Sequence, residues 1–213
     1  MTQVLTIEQL RQAQEQIISG LKAKEKDLAQ IQAVSYPLII KWQMLLGVLL
    51  PIQIETAKKF GFTNEQTALI EFNKQLIDQQ QNDPQLQSLN EQKWHTIFKQ
   101  AFNMDSVQKI TLEQARNLVA EISTEMMSEH FLKQVDQTMG QIDPKADLMQ
   151  KRQTLITVLL PMQMAVMAKH GFEGEQGYVQ AQRALMDYLH DPQIMEKAAK
   201  SQIALFTRAK VMD

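Results

Sequence analysis

An apolar run around a proline occurs twice, as VLLPIQ from Val48 to Gln53 and VLLPMQ from Val158 to Gln163. Proline inside a helix removes the bond to the carbonyl four residues back and crowds that carbonyl, at a cost of roughly 3 kcal/mol. If a new helix began at the proline, Leu50 or Leu160 would be its N-cap, and leucine is among the poorest caps. The reading is therefore a continuous, kinked helix in each half. Four residues back stands Gly47 in the first run, which relieves the clash. Thr157 stands there in the second, where its hydroxyl offers local hydrogen bonding. Val48, Leu49 and Leu50 are consecutive and point around much of the helix, so the proline helix is expected at the centre of its bundle, with neighbours on several sides.

Few glycines (7) and prolines (6), with abundant Leu, Ala, Glu, Lys and Gln, predict an all-α chain. Thr6-Ile7-Glu8-Gln9 has capping-box spacing and opens a first helix with apolar positions Ile7, Leu10, Ile17, Ile18, Leu21, Leu28 and Ile31. A second runs from about Tyr36 to Phe60 and stops at Gly61, with Phe62 folding back on its last turn. Thr63-Asn64-Glu65-Gln66 starts a third, which reaches Gln79–Gln81. Asp83-Pro84 starts a fourth, with aspartate as cap and proline at the first helical position. Its buried face is expected to carry Leu86, Leu89, Trp94, Ile97, Phe98, Ala101 and Phe102.

The same signals then recur in order. Thr111-Leu112-Glu113-Gln114 matches the first capping box, Leu160-Pro161 matches Leu50-Pro51, Gly171-Phe172 matches Gly61-Phe62, and Asp191-Pro192 matches Asp83-Pro84. At an offset of 110, Leu45–Gln66 and Leu155–Gln176 agree at half their positions. This predicts an internal duplication: two tandem helical bundles of about four main helices each, residues 1–106 and 107–213.

Composition narrows the function. A net charge of -2 with no clustered Lys and Arg gives no footprint for nucleic acid or an anionic membrane. The absence of cysteine excludes disulfides and thiolate chemistry and fits a reducing compartment. The N-terminal stretch MTQVLTIEQLRQ reads as neither a secretory signal nor a transit peptide. The most apolar segment, Met44 to Ile52, is far shorter than the roughly 20 residues of a membrane span. Cytoplasmic residence is the expectation, with a cytoskeletal or ciliary assembly left open as its setting.

LTIEQ or ITLEQARNLVAEI near the start of a unit, then VLLP, a helix closing at GF and a final DPQ together resemble the protein C-ten family (the letter C and the number ten). Its members are small, single-domain eukaryotic proteins. The similarity runs from Leu5 to about Phe102 and from Ile110 to about Lys210. The matching residues are Glu8, Gln9, Leu50, Pro51, Gly61, Phe62, Phe72, Asp83 and Pro84, then Glu113, Gln114, Leu160, Pro161, Gly171, Phe172, Asp191 and Pro192. The family usually has one unit rather than two, and the second copy has Ala181 or Gln180 where the first has Phe72. The resemblance implies a helical, non-enzymatic protein that binds other proteins. The matched residues look structural, and no catalytic, cofactor or metal role comes with them.

The residues themselves point the same way. His95, His130, His170 and His190 fall on four elements without a two-histidine zinc motif. Glu91 with His95, and Asp187 with His190, read as surface pairs. GFEGEQG, Gly171 to Gly177, lacks the strand and lysine of a phosphate loop and reads as a helix–helix turn. No GxSxG nucleophile signature occurs. Ten of the 13 methionines lie in the second half, among them Met126, Met127, Met162, Met164 and Met167. They are expected to fill core, or to offer an adaptable surface to partner helices. The functional reading is a non-catalytic adaptor or assembly component with a protein partner. The alternative is a carrier of a small apolar ligand in a methionine-lined cavity.

Two outcomes are expected from the sequence alone. Pro51→Ala and Pro161→Ala should each gain less than the roughly 3 kcal/mol seen on removing proline from an ordinary helix, because the bend is expected to set the packing around Val48–Leu50; denaturant unfolding measures the gain. The two repeats are expected to pair as the subunits of a dimer would. Residues 1–106 and 107–213, expressed separately and mixed, should associate in analytical ultracentrifugation, whereas two stable monomers at high micromolar concentration would contradict the pairing.

Overall fold

The computed structural model describes residues 3–64, 67–80, 82–105, 108–143, 145–189 and 191–211. Among the described residues the chain is all-α, with ten α-helices, one π-helical segment and no strand. It divides into two compact units, Met1–Gln108 and Lys109–Asp213.

The first unit contains α1 (Ile7–Ala23), α2 (Glu25–Ala33), α3 (Leu38–Lys59), α4 (Ala68–Gln80) and α5 (Pro84–Ile97), the last running into a π-helical segment, Phe98–Phe102. At the start of α1 the Thr6 hydroxyl accepts from the Gln9 N–H while the Gln9 side chain accepts from the Thr6 N–H, closing the capping box. The first expected helix is broken at Lys24 into α1 and α2. None of the residues between Leu21 and Leu28 is buried, so no core contact is lost where the helix turns. The break lets α1 lie against α3 and α5 while α2 lies against α3 and the π segment. Leu10, Ile17 and Leu21 of α1, Leu28 and Ile31 of α2, Leu45 and Leu49 of α3, Phe72 of α4 and Ile97 of α5 form the core.

Of the face expected on the fourth helix, Leu89 is half-buried and the other six residues are buried. Its aromatic side chains form one cluster. Trp42 stacks on both Trp94 and Phe102 with centroids 6.2 Å apart, and Phe98 meets Trp94 edge-on. Such aromatic pairs contribute about 0.5–1.5 kcal/mol beyond the area they bury. The π segment ends at Asn103 in the left-handed region (φ 54°), after which the Met104 N–H donates to the Phe98 carbonyl and its side chain is buried.

The second unit contains α6 (Leu112–Met126), α7 (Glu129–Gly140), α8 (Leu148–Lys169), α9 (Gly174–Met186) and α10 (Pro192–Arg208). Here too the first expected helix is broken, at Met127 and Ser128, and the Ser128 hydroxyl caps α7 by accepting from the Phe131 N–H. Helix α6 packs against α10 and α8, and α8 packs against α7 and α9. Nine residues before its proline the first unit has Trp42 in the aromatic stack, whereas the second has Arg152, whose Nε donates to the Val211 carbonyl beyond α10. A polar bridge in the second unit takes the place in the register of an aromatic contact in the first.

Both proline helices end as expected. Gly61 (φ 91°) and Gly171 (φ 84°) adopt the left-handed cap, which glycine enters without a Cβ penalty. The Phe62 N–H then donates to the Ala57 carbonyl and the Phe172 N–H to the Met167 carbonyl, burying both phenylalanines. Phe62 meets Phe72 edge-on at 5.6 Å. The units differ just beyond this turn. Helix α4 starts at Ala68, seven residues after Gly61, while α9 starts at Gly174, three residues after Gly171. Gly177 permits the early start, since a Cβ there would collide with the Phe172 backbone; the first unit has Thr67 at that point in the register. GFEGEQG is thus a helix–helix turn plus the first turn of α9. Glu65 and Gln66, at the expected start of the third helix, lie outside the described residues, as do Gln81 and His190, but the Asn64 side-chain oxygen accepts from the Thr67 N–H at 3.4 Å.

The proline helices are continuous through Pro51 and Pro161 and have neighbours on several sides, α3 against α1, α2, α4 and the π segment and α8 against α6, α7 and α9, but the side that carries the proline is open. Leu49 is buried, Val48, Leu50, Val158, Leu159 and Leu160 are half-buried, and both prolines are exposed. The physical reason lies in the backbone. Each proline frees the carbonyl of Gly47 or Thr157, both exposed residues, and on that side water can satisfy it. The Thr157 hydroxyl donates to the Thr154 carbonyl at 2.7 Å.

Two substitutions of opposite sign test these backbone assignments. Gly177→Ala should destabilise the protein by about 1–3 kcal/mol, because its methyl group meets main chain that cannot move aside cheaply. Lys210→Gly should stabilise by up to about 1 kcal/mol, since Lys210 holds a left-handed φ of 53° next to the buried Val211. Chemical denaturation of both variants against the parent chain measures the two shifts.

Candidate functional site

The residues matched between the halves lead first to an ion pair. Asp83 caps α5 by accepting from the Leu86 N–H at 2.7 Å, and Asp191 caps α10 by accepting from the N–H groups of Gln193 and Ile194. Pro84 and Pro192 follow at the first helical position. Each carboxylate also receives two bonds from an arginine on the first helix of its unit. Arg11 donates through Nε and Nη2 to Asp83 at 3.2 and 2.5 Å, and Arg116 donates to Asp191 at 3.2 and 2.7 Å. The planar fork of arginine suits both carboxylate oxygens at once.

Sequence reasoning missed both arginines. A signal was present: LTIEQLR and ITLEQAR each place Arg five residues after the cap threonine. The bonded arginine holds Asp83 and Asp191 below the usual carboxylate range, helped by the N–H groups at the helix start. Both aspartates are buried.

The other ionised clusters have the same character. Glu121 on α6 accepts from Lys169 at 2.8 Å and lies 2.9 Å from Nε2 of His170 at the end of α8; Lys169, then His170, hold it below the usual range. Asp136 on α7 is lowered by Arg208 of α10. All four carboxyls are shifted away from the neutral form that a general acid needs near pH 7. His95 and His130 are exposed, and Gln134 lies against His130. Of the two expected surface pairs, Glu91 accepts from Gln87 and Asp187 is bound by Arg183 at 2.6 Å. Among the described residues, no group of three or more His, Cys, Asp or Glu is placed to hold a metal ion.

The matched Leu-Pro pairs lie elsewhere, each on an uncharged face of its own helix. Ile40, Gln43, Gly47, Pro51 and Ile54 are the exposed residues of α3 between Lys41 and Glu55 and on their flank, with Ile40 38% and Ile54 39% exposed. They follow one another at three- and four-residue steps and so share a face. On α8 the exposed residues between Arg152 and Lys169 are Gln153, Ile156, Thr157, Pro161, Ala165 and Ala168, all uncharged, with Leu160 and Met164 half-buried beside them. The methionines divide between roles: Met126 and Met167 are buried, Met162 and Met164 half-buried, and Met127 exposed. By length and composition α3 could cross a membrane, a test that the core helix of a soluble protein also meets; α8 meets it only together with α9, from which it is bent by 81°.

Comparison with protein-family models, with curated proteins and with solved structures finds no match to this chain.

The shared clamp makes a pH prediction. A carboxyl lowered in the folded state contributes stability that is in place above its unfolded value, about 3.9, and is lost as pH falls through the folded value. Parent protein should therefore lose stability progressively below about pH 4. Asparagine caps a helix as well as aspartate does, so Asp83→Asn and Asp191→Asn remove the ion pair while keeping the cap. Each variant should be less stable at neutral pH and show a shallower acid loss in pH-dependent unfolding.

Proposed function

We propose that the protein is a non-catalytic helical adaptor or structural component that binds other proteins through the uncharged outer faces of α3 and α8. The observation that carries this reading is the pair of faces themselves. Each runs several helical turns without an exposed charge, and each bears a proline and apolar side chains that its own unit leaves accessible. Accessible apolar side chains gathered on one uncharged face are a feature of protein-binding surfaces. Such a helix face suits a partner helix, whose own apolar positions would fill the space beside Ile40 and Ile54 on α3, and a separate one beside Ile156 on α8. Half-buried Met162 and Met164 beside that surface give it adaptable thioether contacts.

The resemblance to the protein C-ten family supports the same reading, and so does the matching of local geometry. A capping box, an Arg–Asp clamp and a glycine-phenylalanine stop occur in each unit, in the same order. The proposal is therefore a duplicated unit whose copies keep their scaffold and diverge in their side chains, acting in the cytoplasm as part of a larger assembly. The carboxylates described above are bound to cations, which suits scaffolding better than proton transfer.

A photo-crosslinking residue at position 54 or 156, with position 26 as an exposed control, tests the reading in cells. The expected result is one defined protein adduct at 54 or 156 that the control lacks and that Ile40→Asp removes at 54, or Ala165→Asp at 156, without changing the helical circular dichroism. A small apolar molecule that travels with the pure protein and survives both aspartate substitutions, with no protein adduct, would overturn the adaptor in favour of a carrier.

A further inference from the structure

We draw no further inference here: the strongest candidate, the uncharged outer face of α3, already carries the adaptor reading, and nothing in the structure shows what covers it.

Discussion

Each unit is tied together by a carboxylate with two tasks. Asp83 and Asp191 satisfy N–H groups that the start of a helix leaves without partners, and the same oxygens receive the fork of an arginine from the unit's first helix. Joining the cap to the ion pair sets the first helix of a unit against the start of its last. Helix α1 packs against α5, and α6 against α10, beside these pairs. Because the aspartates are buried, the arginine cannot be removed without stranding a charge, which is why the pair acts as a constraint rather than as a surface ornament.

Within that frame the proline helices show how a costly residue is accommodated. A proline facing the core would leave a buried carbonyl unbonded. Facing water, it leaves a carbonyl that solvent can reach, and the helix continues. The same placement removes packed neighbours from one side of α3 and α8. The accessible surface on which the functional proposal rests is thus a direct consequence of where the prolines point.

The two units solve the same packing problem with different side chains. The first relies on aromatic contact, with Trp42, Trp94 and Phe102 stacked and a π-helical segment carrying Phe98 and Phe102 into the core. The second has Arg152 reaching a backbone carbonyl and Gly177 admitting an early helix start. The buried glutamine of α1, Gln14, donates to Asn90 of α5 at 3.3 Å, while in the second unit Val119, at the matching place after the cap threonine, packs with Ala115 and Ile194. Shared backbone signals and unshared fillings are compatible because the caps act on main-chain groups and leave the core composition free.

What the sequence by itself determined is local. The Thr6 and Thr111 boxes, the Asp-Pro starts, and the Gly61 and Gly171 stops each depend on bonds spanning about one helical turn, so residue type and spacing are enough to read them. The all-α class follows from the same signals. The tertiary structure alone decided the pairing of Arg11 with Asp83, 72 residues apart, and of Arg116 with Asp191, 75 apart, because a clamp between helices needs their relative placement. It also decided the break at Lys24, where a run without core residues lets two helices follow different neighbours. And it decided which side of α3 and α8 faces water: three consecutive apolar residues point around a helix, and only the positions of the surrounding helices choose the face that is covered.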